Sequence, residues 1–230
     1  MLDLSPDDLT AIGLSLKVAT IATLAILPVA LLLAYVLARF RFPGHTLLDA
    51  LVHLPLVLPP VVTGYLLLLT FGRQGALGQL LESQLGLVFS FRWTGAALAA
   101  GVMGLPLMVR ALRLGFESID RRLENAALTL GAPPISVFAT VTLPLLRPAM
   151  LSGMVLAFSK ALGEFGATIT FVSAIPGETR TLPTAIYALT QVPGGDAAAL
   201  RLTLVAIAIS IMALIASEWL ARGAIRKLGA

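Results

Sequence analysis

Arg121 to Pro148, RRLENAALTLGAPPISVFATVTLPLLRP, is a polar, breaker-rich stretch between long apolar segments. Ile119, Leu123, Ala126, Ala127 and Leu130 recur at three- and four-residue spacing, which predicts a short helix with one apolar face. Gly131 follows the last of them and Pro133–Pro134 come next, a stop signal for such a helix. Pro134 suits the first turn of a second short helix, with Ile135, Phe138 and Val141 on one side. That helix is expected to end before Pro144, because the residue preceding a proline is pushed out of the α region. Ala126 and Ala127 leave little side chain on their face, and Gly131 would let another backbone come close. A helix–turn–helix of this shape suits a groove on a soluble partner. A linker whose amphipathic helices lie on the lipid surface is equally compatible with its composition.

The flanking sequence is too apolar for a soluble domain. Of 230 residues, 58% are hydrophobic and 12% charged, the composition of a polytopic membrane protein. The expected fold is therefore all-α. Five crossings are read at Val18–Ala38, Ala50–Phe71, Thr94–Leu114, Ala149–Val172 and Leu202–Leu220. Pro28 should kink the first. Pro55, Pro59 and Pro60 cannot all sit in a regular helix through lipid, since each removes a backbone donor. Either a broken helix has its freed carbonyls satisfied within the bundle, or an interfacial segment leads into a helix starting near Pro60. Gly95, Ala96, Ala99, Ala100 and Gly104 permit close packing of the third crossing. Gly72–Arg92 reads as a loop with a short helical piece, and 181–191 as a helix too short to span, either re-entrant or held in the bundle. The acidic start MLDLSPDD, followed by no small-residue cleavage site, reads as a retained first segment.

Charge orients the bundle. Ten Lys and Arg follow crossings one, three and five (Arg39, Arg41, Arg110, Arg113, Arg121, Arg122, Arg147, Arg222, Arg226, Lys227), against five on the other side. The positive-inside rule then puts the amino terminus outside, and the carboxyl terminus and the 118–144 loop in the cytoplasm. Dispersal of the basic residues at span ends argues against a nucleic-acid partner despite the formal charge of +4. With no cysteine and only His45 and His53, neither a disulfide nor a metal site is expected. No phosphate-binding Gly-rich Lys motif or Ser/His/Asp grouping is present, so neither catalysis nor a cofactor is expected.

The fourth crossing contains ionisable residues. Lys160 lies about 20 Å along the helix from Arg147 by the helical rise, a depth at which a charge must face protein or water. Glu164 at i+4 can neutralise it. The pair either stabilises the bundle alone or lines a pathway or inter-subunit contact, where Gly163 and Gly166 would let a second helix approach. No second intramembrane acid or histidine suggests a proton relay.

The 121–148 stretch resembles the signature loop of ABC-transporter permease subunits: EAA, three residues, Gly, nine residues, then I-x-L-P. Ala126, Ala127 and Gly131 fall in register, Val141 takes the Ile position, and Leu143–Pro144 close the pattern. Asn125 occupies the strict Glu position, with Glu124 one residue earlier. The strings LPPVVTGYLLLLTFG and GEFGATITFVSAIPGETRTLP are similar to those of molybdate-importer permeases, a resemblance that covers most of the chain from Ala50 onward. It implies one permease domain over 1–230 with 118–144 as its coupling loop. Glu124, Asn125, Ala126, Ala127, Gly131, Leu143 and Pro144 would then couple to an ATP-hydrolysing subunit present in two copies. It further implies a second copy of the chain, an extracytoplasmic binding protein delivering molybdate or tungstate, and residence in the inner membrane. Pathway candidates are Thr63, Lys160, Gly163, Glu164, Phe165, Gly166, Thr168 and Thr170, of which Thr63, Thr168 and Thr170 carry hydroxyls that could serve as transient donors to an oxyanion. A sulfate permease of the same class, or a stand-alone secondary transporter or channel, is the competing expectation. The latter tends to carry internal repeats and paired intramembrane acids, and neither is visible.

Overall fold

A computed structural model describes residues 4–228, with 216–228 described by backbone alone. Among these residues there are helices and no strand. Helix α1 (Pro6–Arg39) starts well before Val18, because Ser5 and Asp8 form a reciprocal capping box over its first turn. Its 34 residues extend about 51 Å and carry Pro28 internally.

The second crossing is not one helix. Helix α2 (His45–Val57) and helix α3 (Pro60–Phe71) meet at Leu58–Pro59 with a bend of 113°. Pro60 is the first residue of α3, where its missing N–H costs nothing. Helix α4 (Ala76–Leu85) occupies the following loop.

Helix α5 (Trp93–Ser118) is the central post. Its Gly and Ala positions from Gly95 to Gly104 are buried, and it packs against α1. It also packs against the last part of a composite helix, α7 (Pro134–Val137), a π turn (Phe138–Thr142) and α8 (Leu143–Leu162), and α8 in turn touches α1. The approach is close enough that a methyl group on Gly104 would meet Ala157 O at 3.2 Å. One apolar cluster joins Leu37, Leu112, Phe116 and Leu146 at one end of the bundle. Another joins Val18, Ala22, Ala100 and Phe171 towards the other end.

Two expectations about this composite helix need correction. The chain does not leave the helix before Pro144. Leu143 N–H instead bonds to Phe138 O, five residues back, and the widened turn accommodates a proline that cannot donate. Nor is Ala149–Val172 continuous. The helix stops at Leu162 and resumes as α9 (Gly166–Val172). Helix α6 (Arg121–Thr129) lies between α5 and α7. Helix α10 (Leu182–Thr190) is about 14 Å long, too short to span. It is tied to α1 by Leu182 N–H donating to Ser15 Oγ at 2.6 Å. Helix α11 (Asp196–Leu228) is the last element of the described residues.

Among the described residues, four helical segments are long and apolar enough to cross a membrane, or five when the bent α2–α3 pair counts as one. The side chains of Arg222, Arg226 and Lys227, used in the charge count, lie outside the described residues, as does Met1–Asp3.

Candidate functional site

The expected coupling residues form a knuckle at the end of the bundle where α1 and α5 finish. Asp120 caps α6 by accepting from Arg122 N–H at 2.9 Å. At the other end Ala132 N–H bonds to Ala127 O and Gly131 N–H to Leu128 O, the paired bonds of a Schellman stop. Gly131 has φ +88°, a conformation that side chains disfavour, and has open space where a Cβ would stand. Its requirement within this chain is therefore conformational rather than a close approach.

No residue of α6 is buried. Asn125 and Ala126 are exposed and Ala127 is half-buried. The turn carries Leu130 and Ile135, which are 89% and 84% exposed. Apolar side chains this bare, on a helix with no covering layer, suit insertion into a partner's groove. Leu143 and Pro144 stand apart from the tip, at the start of α8.

Glu124 points back into its own chain. Its Oε1 accepts from Arg39 Nη2 at 2.9 Å and from Thr142 Oγ1 at 2.6 Å. The Arg39 and Glu124 side chains are only 9% and 18% exposed. Sequence reasoning counted Arg39 only as a topological charge and missed Thr142, the unspecified position in I-x-L-P. It also missed a second network nearby, in which Arg113 bridges Asp49 (3.0 Å) and Glu117 (2.9 Å) beside a cavity of about 370 Å³. His45 and His53 each bond a backbone carbonyl, Leu37 O and Asp49 O respectively. Among the described residues no cluster of three or more His, Cys, Asp or Glu could hold a metal.

The second group of candidates gathers at the α8–α9 break. Lys160 Nζ and Glu164 Oε2 lie 2.6 Å apart, the predicted pairing, but Glu164 sits in the break and not on a continuing helix. Its other oxygen accepts Ala167 N–H at 3.0 Å, so one carboxylate both neutralises Lys160 and caps α9. The Glu164 side chain is 1% exposed and that of Lys160 30%. Gly163 ends α8 and has no neighbouring helix of this chain against it among the described residues. Gly166 does receive one: a methyl there would meet Pro60 Cβ at 2.7 Å, and one on Gly64 would meet Ala167 O at 2.6 Å. The two interrupted helices, α3 and α9, thus touch beside their breaks.

Phe165 packs on Tyr187 of α10 with ring centres 5.0 Å apart. Thr170 bonds Gly166 O within its own helix, and Thr168 is buried. Thr63 differs: its Oγ1 is buried without a partner and it lines a cavity of about 180 Å³ with Leu54, Leu58, Leu66 and Val102. A buried hydroxyl left unpaired beside a cavity is available to donate to a passing acceptor.

Comparison with known proteins agrees with this architecture. Residues 26–226 match the family described as "Binding-protein-dependent transport system inner membrane component". The chain is 57% identical over 212 residues to the molybdenum transport system permease protein ModB of Escherichia coli (strain K12), covering 92% of this chain and 93% of the relative. It is 52% identical to ModB of Haemophilus influenzae, covering 96% and 97% of the two chains. A probable sulfate transport system permease protein of Nephroselmis olivacea is 37% identical, covering 94% of this chain and 75% of that protein. Among solved structures, a bacterial ABC transporter involved in the import of the acidic polysaccharide alginate superposes with a TM-score of 0.73 over 96% of this chain and 81% of that one. At 18% identity that likeness concerns the fold alone. With a family match spanning most of its length and an all-helical multi-pass architecture, the chain belongs to the binding-protein-dependent transport system inner membrane components, as a membrane permease.

Proposed function

We propose that this chain is the permease subunit of an ABC importer for molybdate, with tungstate as a substrate of the same shape and charge. In this reading an extracytoplasmic binding protein delivers the oxyanion, two copies of the chain enclose the pathway, and two ATPase subunits drive it from the cytoplasm. The observation that carries the substrate is the contrast in identity: 57% to a molybdenum permease against 37% to a sulfate permease. Sulfate is the second reading, favoured by that latter relative.

The physics is compatible with this assignment. A dianion already selected by a soluble protein needs a pathway of weak, temporary donors, because a deep cationic site would retain it. Thr63 supplies an unpaired hydroxyl, and Lys160 is neutralised by Glu164. We assign Thr63, Lys160, Gly163, Glu164, Phe165, Gly166, Thr168 and Thr170 to the pathway and its gate. We assign the knuckle with Asn125, Ala126, Ala127 and Gly131 to the ATPase interface, on the cytoplasmic side, with the amino terminus outside. The 118–144 loop acts as the coupling element of one permease domain, and ATP hydrolysis belongs to the partner.

The test reconstitutes the permease and its ATPase with binding proteins for molybdate, tungstate or sulfate. ATP-driven uptake with the molybdate protein is the expected result. Uptake with the sulfate protein alone rejects the substrate assignment. Because the chain has no cysteine, a single Asn125→Cys variant gives a clean probe of sidedness. Labelling from the outside by an impermeant thiol reagent contradicts the proposed orientation.

A further inference from the structure

Helix α6 is held to the rest of the molecule by little besides its own two ends. None of its residues is buried, and its main packing is against α7 and the π turn. Among the described residues its one long-range polar link is Glu124. Its Oε1 takes a guanidinium hydrogen bond from Arg39, in the last turn of α1, and a hydroxyl hydrogen bond from Thr142, in the π turn that opens α8. Hydrogen bonds to a charged acceptor are among the stronger ones, and the low exposure of both ionic partners reduces screening.

Helical geometry then says what the opposite face offers. At about 100° per residue, Arg122, Ala126 and Thr129 lie roughly 140–200° around the helix from Glu124. All three are exposed. The carboxylate, taken up by Arg39 and Thr142, therefore faces away from this part of the exposed surface.

We propose that Glu124 is a positioning residue that fastens the coupling helix to α1 and α8 at once, and that it does not contact the ATPase. A displacement of α6 is then delivered through Arg39 to α1 and through Thr142 to α8. These are the two elements that clasp α5, and α8 ends at the Gly163 break. The π turn fits this role, since it shifts the helical register between α7 and α8 at the residue that holds Glu124. The inference rests on the reading of α6 as the ATPase-docking element.

The experiment compares Arg39→Glu, Glu124→Arg and the double exchange in the reconstituted permease–ATPase–binding-protein system. Three quantities are read: ATPase co-purification, ATP hydrolysed, and molybdate transported per ATP. Each single variant is expected to retain the ATPase and lower transport per ATP by about tenfold, within the usual range of coupling between sites. The exchange is expected to restore the ratio to within about threefold of wild type, as for a directly interacting pair. Loss of the ATPase from Glu124→Arg with no recovery in the exchange overturns the proposal, because it makes Glu124 a partner contact. An unchanged ratio in both single variants also overturns it.

Thr142→Val, which keeps shape and removes only the hydroxyl, guards against misfolding of the charge variants. It should lower the ratio about threefold or more with the ATPase still bound, and a wild-type ratio counts against the proposal. Failure of the wild-type complex to take up any oxyanion would instead refute the functional reading beneath it.

Discussion

Removing the Glu164 carboxylate separates a structural ion pair from a working one. In Glu164→Ala, Lys160 loses the acceptor 2.6 Å away and Ala167 N–H loses its cap. Breaking a fully buried pair by removing one member costs about 3–5 kcal/mol. Here Glu164 is sealed but the Lys160 side chain is 30% exposed, so the ammonium recovers part of its hydration. The expected cost is then about 2–3 kcal/mol, including the lost cap. For a chain of this size each kcal/mol moves the midpoint by about 2–4 °C, which predicts a fall of roughly 4–12 °C. Glu164→Gln keeps an acceptor for Ala167 N–H and should lose less. The double variant Lys160→Met/Glu164→Gln removes both charges and should recover most of the midpoint, since an apolar replacement of a buried pair is often neutral. Thermal melts of the purified permease in detergent provide the stability reading, and molybdate uptake by the reconstituted complex provides the functional one. A double variant that is stable yet fails to transport places the pair in the pathway. A midpoint for Glu164→Ala equal to wild type, or a double variant no better than that single one, refutes the reasoning.

Other consequences are equally open to measurement. At Gly131, φ +88° makes Ala cost about 1–2 kcal/mol, whereas Asn tolerates the conformation better. If the partner also packs closely there, Asn, the bulkier residue, should weaken ATPase co-purification more than Ala does. Better retention by Asn than by Ala leaves backbone strain as the whole effect. Gly64→Val should impair folding or transport, because even its first carbon would meet Ala167 O at 2.6 Å. A fully active Gly64→Val complex would show that α3 and α9 do not need this approach. Thr63→Val removes a buried unpaired hydroxyl at constant shape, so stability should hold or rise by up to about 1 kcal/mol. A loss of uptake without loss of stability makes that hydroxyl part of the pathway, and unchanged uptake removes it from the list of donors.

Much of the fold was readable because local chemistry decided it. Gly131 followed by Pro133–Pro134 stops α6 where expected, and Pro60 begins α3 as one of the two readings of the proline run required. Pro144 misled because a π turn lets a helix pass a proline, and no periodicity in the sequence marks such a turn. The break after Leu162 was hidden by Lys160 and Glu164, whose spacing suits an unbroken helix equally well. The available signal was an acid enclosed by Gly163 and Gly166, one turn ahead of an N–H that needed a cap. Glu124 was legible as a residue of the loop, but its bonds within the chain were not. Its partners lie 85 and 18 residues away, beyond the reach of any periodicity. Thr63 was picked out for its hydroxyl, and only the packed structure revealed that this hydroxyl has no partner.

The central claim is that this chain provides a route and no motor. Its most direct test measures molybdate flux into liposomes holding the permease alone, then the permease with its ATPase, ATP and binding protein. The account predicts no flux from the permease alone, and accumulation against a gradient only when all the components are present. Downhill molybdate flux through the chain by itself, at a rate comparable to the full assembly, would contradict it.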